Sequence, residues 1–172
     1  MSACIFCDLL KDEKSVLYED ALVAVMFAPK PAIPGHLIVV PKNHTAIMEE
    51  LPDDVLGHCF NVANKTSILV FEGLGAAGTN VIVQNGIPAG QSVPHFCISV
   101  LPRQENDTLN LKWAPKKIPE PKMNEVQTNL KDECDYIGPP VQEKKPEPVK
   151  KEEKKIEYKE DNYLLKQLKR IP

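Results

Sequence analysis

The stretch Gly90-Gln91-Ser92-Val93-Pro94-His95-Phe96-Cys97-Ile98-Ser99-Val100-Leu101-Pro102-Arg103 constrains the fold more than any other part of the chain. Read as a strand, it sends His95, Cys97 and Ser99 to one face and Phe96, Ile98 and Val100 to the other, because strand side chains alternate with period two. One face is apolar and needs cover; the other carries chemistry. The pattern predicts a sheet with a helix packed on its back and a site on its front.

The rest of the chain supplies the partners such a sheet needs. Cys4 to Leu10 reads as a metal-type knuckle running into a short helical turn, with Phe6 as an apolar anchor beside the thiols. Val16–Glu19 and Ala21–Phe27, rich in β-branched residues and joined at Glu19-Asp20, read as a hairpin. Three prolines and a glycine between Ala28 and Gly35 exclude both helix and central strand, so that segment is a loop. His36–Pro41 is the third strand, and His44 follows it closely.

Pro52, Asp53 and Asp54 mark a helix start, since proline suits the first turn and acids suit the positive end of the helix dipole. Val55, Leu56, Cys59, Phe60, Ala63, Ser67, Val70, Phe71 and Leu74 follow at three- and four-residue spacing as a core-facing stripe, and Gly73 and Gly75 provide the exit. His58 lies off that stripe and reads as a solvated helix histidine. Thr79–Gln84 is the fourth strand, Asn85-Gly86 and Pro88-Ala89-Gly90 the turn, and the alternating stretch the fifth strand, its hairpin neighbour. The architecture expected is α+β: a five-stranded antiparallel sheet with one long helix packed on it.

Residues 1–104 form the expected domain. From 105 to 137 the chain reads as a docking appendage, with Leu109, Leu111 and Trp113 ahead of a weak helix carrying Met123, Val126 and Leu130. Residues 138–157 are Pro-, Glu- and Lys-rich and cannot bury enough apolar surface to order themselves, so they read as a disordered charged linker. The short amphipathic segment at 158–172 has two readings: a partner-binding helix, or a terminal turn that docks on its own domain or frays.

A net charge of -3 gives no general basic field, so DNA is not an expected partner. No run approaches the ~20 apolar residues of a membrane span, and no basic segment with an apolar signal core opens the chain. The five cysteines are an odd number, two of them as Cys4-Ile5-Phe6-Cys7, which fits a reducing compartment and a metal better than a disulfide framework. The expected location is cytoplasmic.

Three constellations carry chemistry. Cys4 and Cys7, with His44 and His95 available, offer the thiolate and imidazole donors that tetrahedral zinc prefers; a metal-free pair of reduced cysteines is the alternative. His95, Cys97 and Ser99 share one face of a strand that otherwise reads as core, and stand either as a site or as small fillers beneath a loop. Asn85, Gly86, Gly90, Gln91 and Ser92 form a glycine-punctuated segment whose backbone could cradle a phosphate, or simply a hairpin turn.

Taken together, Cys4-Ile5-Phe6-Cys7, Pro34-Gly35-His36-Leu37-Ile38-Val39-Val40-Pro41-Lys42-Asn43-His44, Asn85-Gly86 and Gly90-Gln91-Ser92-Val93-Pro94-His95 to Pro102-Arg103 resemble the histidine triad (HIT) family, in a form similar to divergent archaeal members. The resemblance implies paired protomers and a signature strand with three alternating histidines. The central one attacks the α-phosphate of a purine nucleotide or nucleotide conjugate. It further implies a structural zinc on Cys4, Cys7, His44 and His95, a supporting histidine at His36, a base pocket involving Phe6 and Phe27, and a phosphate site lined by Asn85, Gln91 and Ser92. The triad itself is degenerate: Cys97 stands at the nucleophile's position and Ser99 at that of the third histidine. Ala28 falls where many members carry a ribose-binding aspartate. The expected protein is a zinc-bound, dimeric nucleotide binder with reduced or absent hydrolase or transferase activity. A weak hydrolase using Cys97, and an interaction protein acting through its C-terminal segment, are the alternatives.

Overall fold

The computed structural model describes residues 4–137, the side chains of Asp135 and Tyr136 excepted. The charged linker and the amphipathic segment expected at 138–157 and 158–172 lie outside the described residues. These fall into two units, one running through Leu109 and one beginning at Asn110. In the first, the elements are α1 (Ile5–Leu9), β1 (Val16–Glu19), β2 (Val23–Phe27), β3 (Leu37–Pro41), α2 (Asp53–Leu74), β4 (Gly78–Val83) and β5 (Ile98–Arg103). In the second, α3 (Glu120–Asp132) starts after Pro119 and leaves Met123, Val126 and Leu130 exposed.

The five strands form one antiparallel sheet in the order β1-β2-β3-β5-β4. The hairpin of β1 and β2 turns later than the sequence pattern suggests. Residues 20–22 belong to the turn because the Asp20 carboxylate accepts the N–H groups of Leu22 and Val23, at 2.8 and 2.9 Å. Its other oxygen faces His58 Nε2 at 2.7 Å, so His58, read as solvated, instead ties α2 to this turn.

Alternation divides the core in two. Val23, Val25, Val39, Phe96, Ile98 and Val100 pack beneath α2 with Cys59, Val62 and Val70. On the opposite face Ala24, Met26, Ala28, Ile38 and Val40 gather around Phe6, with Cys97 and Val93 packed against them. The buried stripe of α2 is rotated slightly from the expected one. Val62 and Thr66 are inside, whereas Phe60 and Leu74 are 43% and 55% exposed. Thr66 can be buried because its hydroxyl donates to the Val62 carbonyl one turn back. α2 ends at Gly75 in the left-handed conformation, φ 62°.

The signature strand also begins later than its pattern implies. Pro94 offers no N–H, and the Phe96 N–H goes to the Thr45 carbonyl at 2.7 Å rather than into a ladder. His95 therefore sits in a bend before β5, while Phe96 and Cys97 keep the inside–outside alternation. The first unit extends to Leu109 because Arg103 pairs with Asp107 at 2.5 Å and donates to the Leu109 carbonyl. No helix among the described residues is long and apolar enough to cross a membrane.

Candidate functional site

Four side chains from three separate parts of the chain converge above the Phe6 cluster. Cys4 comes from the position just before α1 and Cys7 from its first turn, His44 from the loop after β3, and His95 from the bend before β5. One ligand atom from each lies within 4.8 Å of the other three. Cys4 Sγ is 3.4 Å and Cys7 Sγ 3.6 Å from His95 Nδ1, and Cys7 Sγ is 3.3 Å from His44 Nδ1. A tetrahedral ion with Zn–S near 2.3 Å and Zn–N near 2.0 Å would set sulfur and nitrogen about 3.5 Å apart, so the spacing fits such an ion.

The protonation pattern agrees. His95 is fully buried, and its Nε2–H donates to the Pro41 carbonyl at 2.9 Å, which leaves Nδ1 with its lone pair toward the cluster. Burial, then the neighbouring His44, holds its pKa below the ordinary histidine value and keeps it in the neutral, ligating form. Burial and the adjacent Cys4 push the Cys7 thiol up, a penalty that a bound cation would reverse. The two imidazoles meet edge to face with centroids 4.9 Å apart, and Phe6 packs edge-on against His95 at 5.8 Å. These four residues could hold a metal ion.

Beside this cluster a cleft of about 210 Å³ opens on the same face of the sheet. Ile38 and Ser99, register partners on β3 and β5, form its floor with Cys97. One wall is the loop after β2, with Ala28, Pro29, Lys30 and His36; the other is the β4–β5 connection, with Gln84, Ser92 and Val93, and Ile5 and Phe6 complete the lining. Of the residues singled out from sequence, His36, Cys97, Ser99, Ser92 and Phe6 thus meet in one cavity.

Phe27, Asn85 and Gln91 do not. Phe27 follows Val23 and Val25 in register, which puts it on the α2 side of the sheet, where it lines a separate groove with Leu37, Leu69 and Leu74. The Asn85 amide is spent on the Glu49 carboxylate at 2.7 and 2.8 Å while its oxygen accepts the Met48 N–H at 2.9 Å. Gln91 accepts from the Gly86 N–H and donates to the Ala46 and Val93 carbonyls, all within 3.0 Å. Both side chains hold the connecting loop in shape. Gly90, at φ 94°, belongs to the same construction: a Cβ there would lie 2.5 Å from Gln84 Nε2.

The cleft's chemistry is set by its donors. His36 Nδ1 accepts the Ala32 N–H at 3.2 Å, so a neutral ring carries its proton on Nε2, which is buried without a partner. Burial holds the His36 pKa below the ordinary value. Burial pushes the Cys97 thiol up to about 11, and no side chain among the described residues hydrogen-bonds its sulfur. Lys30 and Gln84, which the sequence reading did not single out, also line the cavity. Lys30 sits six residues before His36 in the proline-rich loop, the one sequence signal that could have flagged it.

An antiparallel sheet of this order, a long helix on one face, and a Cys-Cys-His-His cluster beside a polar cleft on the other define an α+β protein of histidine-triad type. The HIT domain profile matches residues 10–106. An uncharacterized HIT-like protein of the archaeon Methanocaldococcus jannaschii is 37% identical over 116 residues, 66% of this chain and 89% of that one. An adenylylsulfatase of Arabidopsis thaliana is 31% identical over 117 residues, 67% of this chain and 58% of that protein. Among solved structures, a zinc-bound histidine triad family protein from Mycobacterium smegmatis superimposes with a TM-score of 0.59 at 26% identity, covering 77% of this chain and 97% of that one. The chain belongs to the HIT family.

Proposed function

We propose that this chain is a zinc-bound, homodimeric, cytoplasmic HIT-family protein that binds a purine nucleotide or nucleotide conjugate and turns it over slowly or not at all. The observation that carries this reading is the cleft floor. Where the family resemblance puts a nucleophilic histidine stands Cys97, packed against the Phe6 cluster and without a hydrogen-bonding side chain on its sulfur. Attack on phosphorus needs an activated nucleophile, and a thiol needs a nearby base or cation to become one. Ser99, the next residue on that face, has no basic lone pair at neutral pH.

The groups that would bind a phosphoryl oxygen survive. Nε2–H of His36 and the hydroxyls of Ser92 and Ser99 line the same space, and Asn85 and Gln91 position the loop that carries Ser92. An adenylyl ligand is supported by the adenylylsulfatase relative, and zinc by the zinc-bound structural neighbour together with the four-residue donor set. Pairing is supported by β4, an edge strand with Val81 exposed.

The test uses the full zinc-loaded chain. Light scattering should give a dimer mass and metal analysis one zinc per chain. AMP should raise the thermal midpoint, because a ligand that binds only the native state stabilises it, while adenosine phosphoramidate and adenosine 5′-phosphosulfate should be consumed at background rates. Turnover abolished by Cys97→Ser would overturn the non-enzymatic reading, and the absence of any AMP stabilisation would overturn the binding reading.

A further inference from the structure

The cleft contains no acceptor of the kind a ribose diol prefers. None of its lining residues is an aspartate or glutamate, while Lys30, His36, Gln84, Ser92 and Ser99 all present donors. General basicity does not explain this, since the whole chain carries a net charge of -3. In dinucleotide-binding folds a carboxylate reads the free ribose 2′-hydroxyl, and a cation nearby accommodates a 2′-phosphate instead; the same chemistry applies to a cleft that has the cation and lacks the carboxylate. Each of the five side chains has an uncommitted donor: the buried Nε2 of His36 has no partner, and the side chains of Lys30, Gln84, Ser92 and Ser99 make no ion pair or hydrogen bond among the described residues; of the five, Lys30 alone carries a full positive charge.

Lys30 is also presented from a stiff support. It lies between Pro29 and Pro31, in a bend of the chain, so both neighbours have fixed φ and the following proline restricts its own backbone. Less freedom is then lost when its ammonium meets an anion. The two walls place Lys30 and His36 on one side of the cleft and Ser92 and Gln84 on the other, with Ser99 on the floor, so the cation stands across the cleft from the Ser92 hydroxyl.

Resting on the nucleotide-binding reading above, we propose that the cleft selects a nucleotide bearing a second phosphate on its ribose, with Lys30 as the residue that discriminates it from the plain nucleoside monophosphate. The cation meets the second phosphate, and the cleft offers no carboxylate to repel it.

Calorimetric titration of the zinc-loaded full chain with AMP and with adenosine 3′,5′-bisphosphate and 2′,5′-bisphosphate tests this. At least one bisphosphate should bind about tenfold more tightly than AMP, a margin that shrinks as salt is raised. Lys30→Gln should bring the ratio close to one, Lys30→Glu should invert it, and Lys30→Arg should keep it. AMP affinity should fall far less than bisphosphate affinity in Lys30→Gln, and unchanged thermal midpoints will show that the variants fold. Equal binding of all three nucleotides by the wild type, or a preference that survives Lys30→Gln, overturns the assignment. If none of the nucleotides binds, the nucleotide-binding reading itself falls and takes this one with it.

Discussion

Stripping the metal should release the segment Cys4–Leu10 while leaving the sheet folded. Ordering its seven residues costs about 10 kcal/mol at roughly 1.5 kcal/mol each. The five-residue α1 is too short to hold itself together in water. Burial of Phe6, with Leu9 and Leu10 half-buried, returns only about 4–5 kcal/mol. The shortfall of about 5 kcal/mol is smaller than the ~10–16 kcal/mol that structural zinc contributes in small domains, so the loaded segment is ordered and the stripped one frays. Hydrogen exchange reads this at two amides, Asp8 N–H bonded to the Cys4 carbonyl and Leu10 N–H bonded to the Phe6 carbonyl, both at 3.0 Å. Their protection should drop about a thousandfold or more on chelation, and AMP affinity should fall at least about tenfold because Ile5 and Phe6 leave the cleft. If the two amides stay protected within tenfold in a zinc-free chain whose strands remain intact, the reasoning is refuted.

Three further outcomes follow from particular contacts. Asp20→Asn should cost about 1–2 kcal/mol in urea melts at pH 7, since it weakens bonds to Leu22 N–H, Val23 N–H and His58. Partial burial opposes the Asp20 charge, but the His58 bond and the two backbone N–H groups outweigh it and hold the carboxyl well below its ordinary range. The difference between wild type and variant should therefore be full above about pH 5 and shrink as pH falls below 4; a pH-independent gap would contradict the assignment. Rebuilding the triad by Cys97→His with Ser99→His should produce a covalent adenylyl adduct, seen by intact mass after mixing with adenosine phosphoramidate, and a double variant that binds AMP yet forms no adduct would show that the floor lacks more than its nucleophile. Gly35→Ala should lower stability by about 1–2 kcal/mol through its φ of 81°. The new Cβ, 2.6 Å from Leu74 Cδ1 and 3.1 Å from Pro102 Cγ, meets one flexible exposed side chain that can move and one ring that need give by only a few tenths of an ångström, so a loss above about 4 kcal/mol in thermal melts would point to a different cause.

The strands were readable because the β-branched apolar run at Val23–Phe27 and the alternation at Phe96–Val100 both report on a sheet covered on two faces. The α2 stripe was less so. Leu69, Phe60 and Leu74 make the helix apolar beyond the arc the sheet covers, and only packing decides which flank stays wet. The four metal ligands could be assembled from sequence through the Cys-x-x-Cys spacing and the family resemblance, but the role of the Pro41 carbonyl in orienting His95 depends on where β3 ends in space. Asn85 and Gln91 stand at positions the resemblance gives to the phosphate site, yet their amides are consumed by Glu49, Gly86 and Ala46, partners far away in the chain or hidden in the backbone. His58 shows the same limit, since its bond to Asp20 spans 38 positions.

The Pro29-Lys30-Pro31 loop has a consequence for how such a protein diverges. Its lysine lies outside both apolar clusters and outside every strand, whereas Ala28, two positions earlier, is already core. A codon change at 30 can therefore reverse the charge lining the cleft while leaving the scaffold's packing untouched. The cleft's charge can drift at that position without the compensating substitutions that a change in its packed floor, at Ile38 or Cys97, would demand.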